Sequence, residues 1–578
     1  MTIKTLAKSL RETKKTALLT IFFTSSEVVF EIIIPLVMSR LIDLGVDKKD
    51  MSFLLITGFI LLGLACMQLV TGLCSAHFGA RASVGFGKNL RNDCYKNIQT
   101  FSFANIDKFS TESLVTRLTT DITNVQNAFL MIIKIAIRAP SMMIFAMIAA
   151  FRINVRISLI FIAVIPILFF LLTLIIRKVH PIFTRVFKTY DKLNNVVQEN
   201  VRGIRVVKSF TREDFEIQKF NTISKNVYTD FVKAERIITL NGPIMQFFIY
   251  VSLILISLLG SLAVIKSGNN SALGLTTGQL TALMTYGSQI LTSLMMISMV
   301  FAMITIAGSS AKRICEVIEE KSEIVNPENP VMAVANGAID FDAVDFSYKA
   351  SGRPVLKNIN VHIRSGEMVG IVGSTGSAKS TLISLIPRLF DVTNGSVKVA
   401  GIDVRDYDLD VLRSAVAIVL QKNELFSGTV RSNLEWGNPQ ASDADIAQAL
   451  KAACADEFID KLELKYDAPV EQGGTNFSGG QKQRLCIARA LLKKPRVLIL
   501  DDSTSAVDTA TDAKIQHSFR ELFSETTKII IAQRINSVRY ADTIIVLDDG
   551  KISATGTHEQ LLETSHIYQE MYHSQQKP

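Results

Sequence analysis

The sequence predicts a polytopic α-helical membrane domain that is followed by an α/β domain of the P-loop class. Hydrophobic residues make up 48% of the chain and the mean hydropathy is +0.30, which is high for a soluble protein. The apolar excess lies before about residue 310. Later in the chain, a loop of the phosphate-binding type connects an apolar strand to a helix. A chain of 578 residues is also too long for one domain.

Six segments are apolar over roughly 20 residues, the length that crosses a bilayer. They lie at about 16–40, 52–76, 128–151, 157–177, 238–265 and 279–308. The polar segments after the second and fourth spans are long and rich in Lys and Arg, so the positive-inside rule places them on the cytoplasmic side of a cell membrane. Both termini and the α/β domain lie on the same side. The net charge of +9 is concentrated beside the spans, which favours a lipid bilayer rather than a nucleic acid as partner.

The domain boundaries follow from a change in composition. We expect a transmembrane domain over 1–315, a linker over 316–336 and the α/β domain over 337–578. Dense charge and two prolines mark the linker. Beyond it, strand-like and helix-like runs alternate, as in a domain built from βαβ units. The six cysteines form no C-x-x-C pair, which favours free thiols in a reducing cytosol.

The loop at 373–380 has the sequence context that binds a triphosphate. Backbone N–H groups and a helix N-terminus suit the negative charge of phosphates, so we expect ATP and Mg²⁺ as cofactors. Lys379 is expected to reach the β- and γ-phosphates, and Ser380 to ligate Mg²⁺. Ala378 stands where this loop normally has glycine, and its Cβ costs backbone freedom. The expected nucleotide-binding residues here are Gly373, Ser374, Thr375, Gly376, Ser377, Ala378, Lys379, Ser380 and Thr381.

An apolar strand at 497–500 ends in two acidic residues. Asp501 is in the position of a carboxylate that holds Mg²⁺ through water. With the P-loop and the run Asn-Phe-Ser-Gly-Gly-Gln at 476–481, this strand makes the chain resemble the ATP-binding cassette (ABC) transporters over nearly its whole length.

The resemblance implies that Tyr348 stacks on adenine and that Gln421 senses Mg²⁺. The tips of the two long cytoplasmic excursions would be coupling helices, near 113–117 and 202–206.

The resemblance also implies a signature segment that closes over ATP held by a facing domain. That segment is intact, and its residues are Phe477, Ser478, Gly479, Gly480 and Gln481. The chain's own catalytic positions differ from the family pattern. Asp502 replaces a glutamate that polarises the attacking water, and a shortfall in reach of about 1 Å can cost on the order of 10²-fold in rate. Gln533 replaces a switch histidine, and glutamine can donate a hydrogen bond but carries no positive charge.

These differences make the chain similar to the degenerate-site subunit of bacterial heterodimeric multidrug ABC exporters. The expected function is export of amphipathic compounds, with ATP hydrolysis mainly at the site of a second, non-identical half-transporter. Two alternatives remain: a homodimeric exporter of lipid or peptide, and an ATP-gated regulator that does not transport. The intact signature argues against the first alternative, and six full spans argue against the second.

Charged residues inside two spans form the last candidate site. Glu27 and Glu31 are four residues apart in the first span, so they share one helical face, and Lys134 and Arg138 repeat this spacing in the third. Charge inside a membrane is costly and normally turns inward to a partner. The four residues are therefore either part of a transport path or a structural ladder of ion pairs between two helices.

Overall fold

A computed structural model of the chain describes residues 2–270, 272–348, 352–503 and 506–576. Two compact units are present. The helical unit contains Met1–Gln99 and Thr111–Glu320, and the sheet unit contains Thr100–Ser110 and Lys321–Pro578. The short segment at 100–110 therefore belongs with the α/β part of the chain.

Eleven helices, ten of them in the helical unit, precede the first strand in the described residues. They are α1 (Thr2–Lys8), α2 (Thr13–Arg40), α3 (Met51–Gln99), α4 (Phe103–Phe109), α5 (Thr111–Thr116), α6 (Ile122–Ile153), α7 (Val155–Arg202), α8 (Ile204–Ser209), α9 (Glu213–Ile238), α10 (Asn241–Ser267) and α11 (Thr277–Glu319). Two π-helical turns, Leu41–Val46 and Arg117–Asp121, continue α2 and precede α6.

The predicted six membrane-crossing helices are present in the described part of the chain. The stretches long and apolar enough to span are Thr13–Val46, Met51–Gln99, Thr111–Ile153, Val155–Phe183, Glu213–Ser267 and Thr277–Phe301. With 49 residues in α3 and 48 in α7, these helices are each about 70 Å long at 1.5 Å per residue, more than twice the ~30 Å hydrocarbon core. The same helices therefore form both spans and long polar extensions.

The structure agrees with the expected tip of one extension and differs at the other. The second tip, near 202–206, overlaps α8, a helix with no buried residue. The first differs from the prediction, because 113–116 lies in α5 of the helical unit while α4 belongs to the sheet unit. In α4, Asn105 Nδ2 donates to the Lys321 carbonyl at 3.2 Å, and the ring of Phe103 lies 6.0 Å from that of Phe390. Ser102 and Asn105 form a capping box that starts α4 eleven residues before Ser113, where the expected tip begins.

The sheet unit contains twelve strands and nine further helices in its described residues. The strands are β1 (Ile339–Phe346), β2 (Leu356–Ile363), β3 (Met368–Gly373), β4 (Asn394–Val399), β5 (Ile402–Asp403), β6 (Val416–Val419), β7 (Gly428–Thr429), β8 (Pro469–Val470), β9 (Val497–Asp501), β10 (Thr527–Ile531), β11 (Thr543–Asp548) and β12 (Lys551–Gly556). The helices are α12 (Lys379–Ser384), α13 (Leu409–Ala415), α14 (Val430–Leu434), α15 (Asp443–Ala452), α16 (Asp456–Ile459), α17 (Gly479–Leu492), α18 (Thr509–Leu522), α19 (His558–Thr564) and α20 (His566–Gln576).

The largest sheet has six strands in the order β12-β11-β3-β10-β9-β6, and all but the edge strand β12 are parallel. Both of its faces are covered. In the central strand β10, Ile530 packs into one hydrophobic core while Ile529 and Ile531 pack into the other. Strand side chains alternate between faces, so a near-continuous apolar run is what a doubly covered parallel strand requires. This arrangement places the carboxyl ends of β3, β10, β9 and β6 side by side.

Candidate nucleotide-binding site

Four neighbouring strand ends bring most of the predicted site residues together. The P-loop follows β3, Gln533 follows β10, Asp501 and Asp502 stand at the end of β9, and Gln421 follows β6. In open α/β sheets, ligands bind at the carboxyl ends of the strands. The predicted nucleotide site therefore lies where this fold class places its ligands.

The turns of the P-loop contain glycines with positive φ. Gly373 has φ +158° and Gly376 φ +85°, and a Cβ on Gly373 would lie 2.1 Å from the Leu547 carbonyl oxygen. Lys379 Nζ donates to the carbonyls of Gly373 and Ser374, both at 2.8 Å, and to Ser377 Oγ at 3.3 Å. Burial lowers the pKa of Lys379, and the charges of Asp501 and Asp502 oppose that shift. The lysine thus lies folded over the loop whose N–H groups would cradle phosphates.

Ala378 is strained where the sequence predicted a cost. It precedes α12 with φ +73° and ψ 25°, a left-handed conformation. For a residue with a Cβ, this region costs roughly 1–2 kcal/mol, whereas glycine adopts it freely. The substitution of the usual glycine therefore acts at the turn that places Lys379 and Ser380.

Asp501 and Ser380 form the part of the site that fits Mg²⁺. Asp501 is only 5% exposed and accepts a hydrogen bond from the Ser380 side chain. Burial raises its pKa above the ordinary value of 3.8, while this hydrogen bond and the charge of Lys379 oppose the rise. A carboxylate and a hydroxyl are hard oxygen ligands of the kind that Mg²⁺ takes together with phosphate oxygens. When bound, the metal would neutralise charge on the phosphates.

Asp502 is bound by two glutamine side chains. Gln533 Nε2 donates to Asp502 Oδ2 at 2.9 Å, and Gln421 Nε2 approaches the same oxygen at 3.5 Å. The backbone is held too, because Asp502 N donates to the Ile531 carbonyl at 3.0 Å, with φ +50° at Asp502. Burial raises the pKa of Asp502, while the two glutamines and Lys379 oppose the rise. The structure therefore pairs the two residues that differ from the family pattern.

Tyr348 is anchored behind the P-loop. Its hydroxyl lies 2.8 Å from Thr381 Oγ1, and its ring packs edge-to-face on Phe346 at 4.9 Å and on Phe390 at 5.4 Å. Half of the residue (53%) stays exposed, which leaves ring surface for an adenine. Sequence reasoning did not single out Phe346 or Phe390, because no motif contains them and only the fold brings the three rings together.

The signature segment begins a regular helix. Ser478 caps α17, since Gln481 N donates to Ser478 Oγ at 3.4 Å and Ser478 N donates to Gln481 Oε1 at 2.8 Å. Phe477 is buried, and a Cβ on Gly480 would lie 2.8 Å from the Ala506 carbonyl oxygen, whereas Gly479 has more room. Among the described residues, no hydrogen bond or ion pair joins 477–481 to the P-loop. Ser505, in the neighbouring loop, lies outside the described residues.

The intramembrane charges form a triad rather than a ladder. Arg138 pairs with Glu27 at 2.7 Å and with Glu31 at 2.8 Å, through different guanidinium nitrogens. The ion pairs of the described residues do not include Lys134, which is half-buried. Two further neighbours escaped sequence reasoning: Gln289 Nε2 lies 3.5 Å from the Glu31 carbonyl oxygen, and Gly72 faces the Glu27 carboxylate. The i, i+4 spacing was compatible with ion pairs between α2 and α6, but it did not indicate which cation of α6 forms them.

Two family models match the chain. The ABC transporter transmembrane region matches residues 17–306, and the ABC transporter model matches residues 356–505. The chain belongs to the ABC transporter family. The second match contains the P-loop, the signature, Asp501 and Asp502.

Similar proteins cover almost the whole of this ABC transporter chain. An uncharacterized ABC transporter ATP-binding protein of Bacillus subtilis, YfiB, is 34% identical over 95% of this chain and 94% of its own length. An ATP-dependent lipid A-core flippase of Desulfotalea psychrophila is 32% identical over 91% of each chain. Among solved structures, a bacterial Atm1-family ABC exporter with ATP bound superposes with a TM-score of 0.84 at 22% identity, over 98% of this chain and 99% of that one.

The family and the fold together establish a multi-pass cell-membrane protein with its ATPase domain on the cytoplasmic side. The transmembrane region and the cassette are those of an exporter half-transporter. The cassette implies ATP binding and hydrolysis. ABC exporters work as dimers in the membrane, so this chain requires a second half.

Proposed function

We propose that this chain is one subunit of a heterodimeric ABC exporter of amphipathic compounds, and that its own ATP site hydrolyses slowly while its signature serves the partner. The observation that carries the proposal is the hydrogen bond from Gln533 to Asp502, at 2.9 Å. A general base must accept a proton from the attacking water within hydrogen-bond reach. Here the short carboxylate is already accepting a hydrogen bond from an amide, and the amide supplies no positive charge for a γ-phosphate.

Nucleotide binding is retained in this proposal. The loop turns at 373–376, Lys379 over the loop and the buried Asp501–Ser380 pair are the groups that hold a triphosphate and Mg²⁺. The site then binds ATP and keeps it, because the chemistry that would consume it is impaired. Bound ATP stabilises a closed dimer for as long as it stays unhydrolysed.

The signature supports an unlike partner. Residues 477–481 are complete in sequence, and Ser478 is held by a capping box on a regular helix. A homodimer would present this intact surface only to two slow sites. In a heterodimer it closes over the partner's ATP, where a full catalytic set would hydrolyse it.

The substrate path is proposed to pass the triad Glu27, Glu31 and Arg138, with Lys134 nearby on α6. Two acids share one guanidinium, and Glu27 Oε2 is buried without a hydrogen-bond partner among the described residues. Uncompensated negative charge inside the membrane is costly, and a basic group on an amphipathic compound would offset it. Glu27→Gln is then expected to reduce export of cationic compounds more than of neutral ones.

A second candidate is a homodimeric lipid exporter, which the 32% identity to a lipid A-core flippase favours. Reconstitution of the chain alone, and with a second half-transporter that has Glu and His at the two catalytic positions, separates the candidates. Heterodimeric drug export predicts that ATPase activity and compound transport both need the second chain. Lipid translocation and robust ATPase activity by the chain alone would contradict the proposal.

A further inference from the structure

The loop that carries Gln533 is held from outside the ATP site by the C-terminal helix. Gln575, near the end of α20, donates from Nε2 to the Gln533 carbonyl at 2.8 Å. Its Oε1 accepts from Ile535 N at 2.9 Å. One amide side chain therefore fixes the backbone on both sides of Arg534, through residues that are 42 and 40 positions away in sequence.

The same loop is fixed at its other end by α18. Gln516 Nε2 donates to the Ser537 carbonyl at 2.8 Å, and Ser537 Oγ donates to Asp512 Oδ2 at 2.9 Å. That helix starts at the loop next to the signature, where Asp508 caps it. Residues 533–537 thus lie between two helices, and of these two helices α20 is the one that contacts the main chain of Gln533.

The C-terminal helix is itself firmly packed. Tyr568 is fully buried in the core of the sheet unit, and its hydroxyl lies 2.7 Å from His558 Nδ1. Met571 and Tyr572 pack against the same core. Gln575, one turn further on, is exposed, so its side chain is ordered by the two hydrogen bonds to the loop rather than by burial.

We infer that Gln575 is a positioning residue for the ATP site: it places residue 533 at the distance from which its side chain meets Asp502. The inference rests on the proposed function only in taking position 533 as the switch position. A side chain that donates to Asp502 must start from a fixed backbone. The backbone N–H of Gln533 donates to the Asp502 carboxylate, and Gln575 holds the carbonyl of the same residue. Loss of this contact frees the loop and changes turnover without removing a group that touches ATP.

The decisive experiment is hydrogen–deuterium exchange on the full-length chain, purified in lipid nanodiscs, at the Ile535 amide. Gln575→Leu removes the acceptor and is expected to speed exchange there by about tenfold, the equivalent of one lost hydrogen bond. Gln575→Glu retains the acceptor for the Ile535 N–H but loses the donor to the Gln533 carbonyl, so its exchange should lie between those of the wild-type chain and Gln575→Leu. Gln569→Leu is the matched control, because Gln569 in the same helix donates to the Leu562 carbonyl and does not contact the loop.

Turnover gives a second readout in the Asp502→Glu, Gln533→His chain. There Gln575→Leu should lower kcat by about fivefold with KM for ATP within about twofold, the pattern of a lost transition-state contact, and Gln569→Leu should lower neither. Unchanged Ile535 exchange in Gln575→Leu, or equal kcat losses in both leucine variants, overturns the inference. The turnover rate of the wild-type chain bears on the proposed function alone. The exchange comparison tests the positioning role of Gln575 even if the Asp502→Glu, Gln533→His chain does not hydrolyse ATP.

Discussion

The two nucleotide-facing parts of the cassette are built very differently. In the chain's own site, Ala378 and Asp502 are both non-glycine residues with positive φ, +73° and +50°. In the signature, Ser478 has an ordinary extended N-cap backbone, φ −67° and ψ 161°, and a complete capping box. The strained and substituted part is the one that would work on this chain's ATP. The regular part is the one that a partner would use.

This contrast is what the proposed division of labour requires. Strained backbone costs of order 1–3 kcal/mol per residue and persists where surrounding structure holds it in place. Here the holding groups are Gln421 and Gln533 around the Asp502 side chain, and the Ile531 carbonyl on its backbone. The chain's own site is therefore ordered although its backbone is strained, as the proposed role of binding ATP and hydrolysing it slowly requires.

Lys379→Ala tests whether the chain's own site binds ATP at all, and its expected effect is one of the two largest. The Nζ charge lies over the loop carbonyls of Gly373 and Ser374. Its loss is expected to weaken ATP binding by on the order of 10²-fold, because a charge-assisted contact to phosphate is removed. Titration of the purified chain with a fluorescent ATP analogue measures this. Unaltered affinity would contradict the assignment of the loop.

Ser478→Arg and Asp502→Asn compare the two parts directly. In the reconstituted heterodimer, Ser478→Arg should reduce steady-state ATPase activity by at least about 10²-fold, since a bulky charge at the cap blocks closure over the partner's ATP. Asp502→Asn should cost about threefold or less, because that carboxylate contributes little chemistry. Equal losses in the two variants would show that both sites hydrolyse.

Ala378→Gly sharpens the comparison by removing strain from the own site. Relief of the left-handed cost is expected to tighten ATP binding by up to about fivefold, the equivalent of roughly 1 kcal/mol. Thr375→Gly is the control, because Thr375 lies in the same loop and its φ is not positive. If both glycines change affinity alike, loop flexibility rather than strain accounts for the effect.

The pH dependence of Mg²⁺-assisted binding gives the smallest effect. Burial raises the pKa of Asp501 above 3.8, so the carboxylate protonates at a higher pH than an ordinary aspartate. Protonation removes a metal ligand, and the Mg²⁺-dependent part of ATP affinity should therefore fall by about threefold as pH is lowered into the range where this carboxylate protonates. The folded state binds this proton more readily, so the group's contribution to stability decreases as pH rises through the same window. Asp501→Asn should abolish the pH effect, and its persistence in that variant would assign it elsewhere.

Local patterns were sufficient to predict much of this molecule. The six apolar runs, the strand–loop–helix around Lys379 and the acidic end of β9 each depend on neighbouring residues only, and the structure places them as the pattern requires. Contacts between distant segments could not be predicted in this way. The ring of Phe390 behind Tyr348, the contact of that ring with Phe103 and the amide of Gln575 on the loop 533–537 arise from packing.

The charged residues in the first and third spans show most clearly what cannot be predicted from sequence. The spacing of Glu27, Glu31, Lys134 and Arg138 left two interpretations open, a transport path or a structural ladder of ion pairs between two helices. In the structure, both acids turn to Arg138. The rotation and axial offset of two packed helices decide which cation is within reach, and neither quantity is written in the sequence of either helix.

The central claim is tested most directly by the ATPase rate of the purified chain alone in lipid nanodiscs, beside that of the Asp502→Glu, Gln533→His chain. Slow hydrolysis caused by these two residues predicts little turnover by the wild-type chain and a gain of at least about tenfold when the glutamate and histidine are restored. Robust wild-type turnover, with no gain on restoration, would contradict the account.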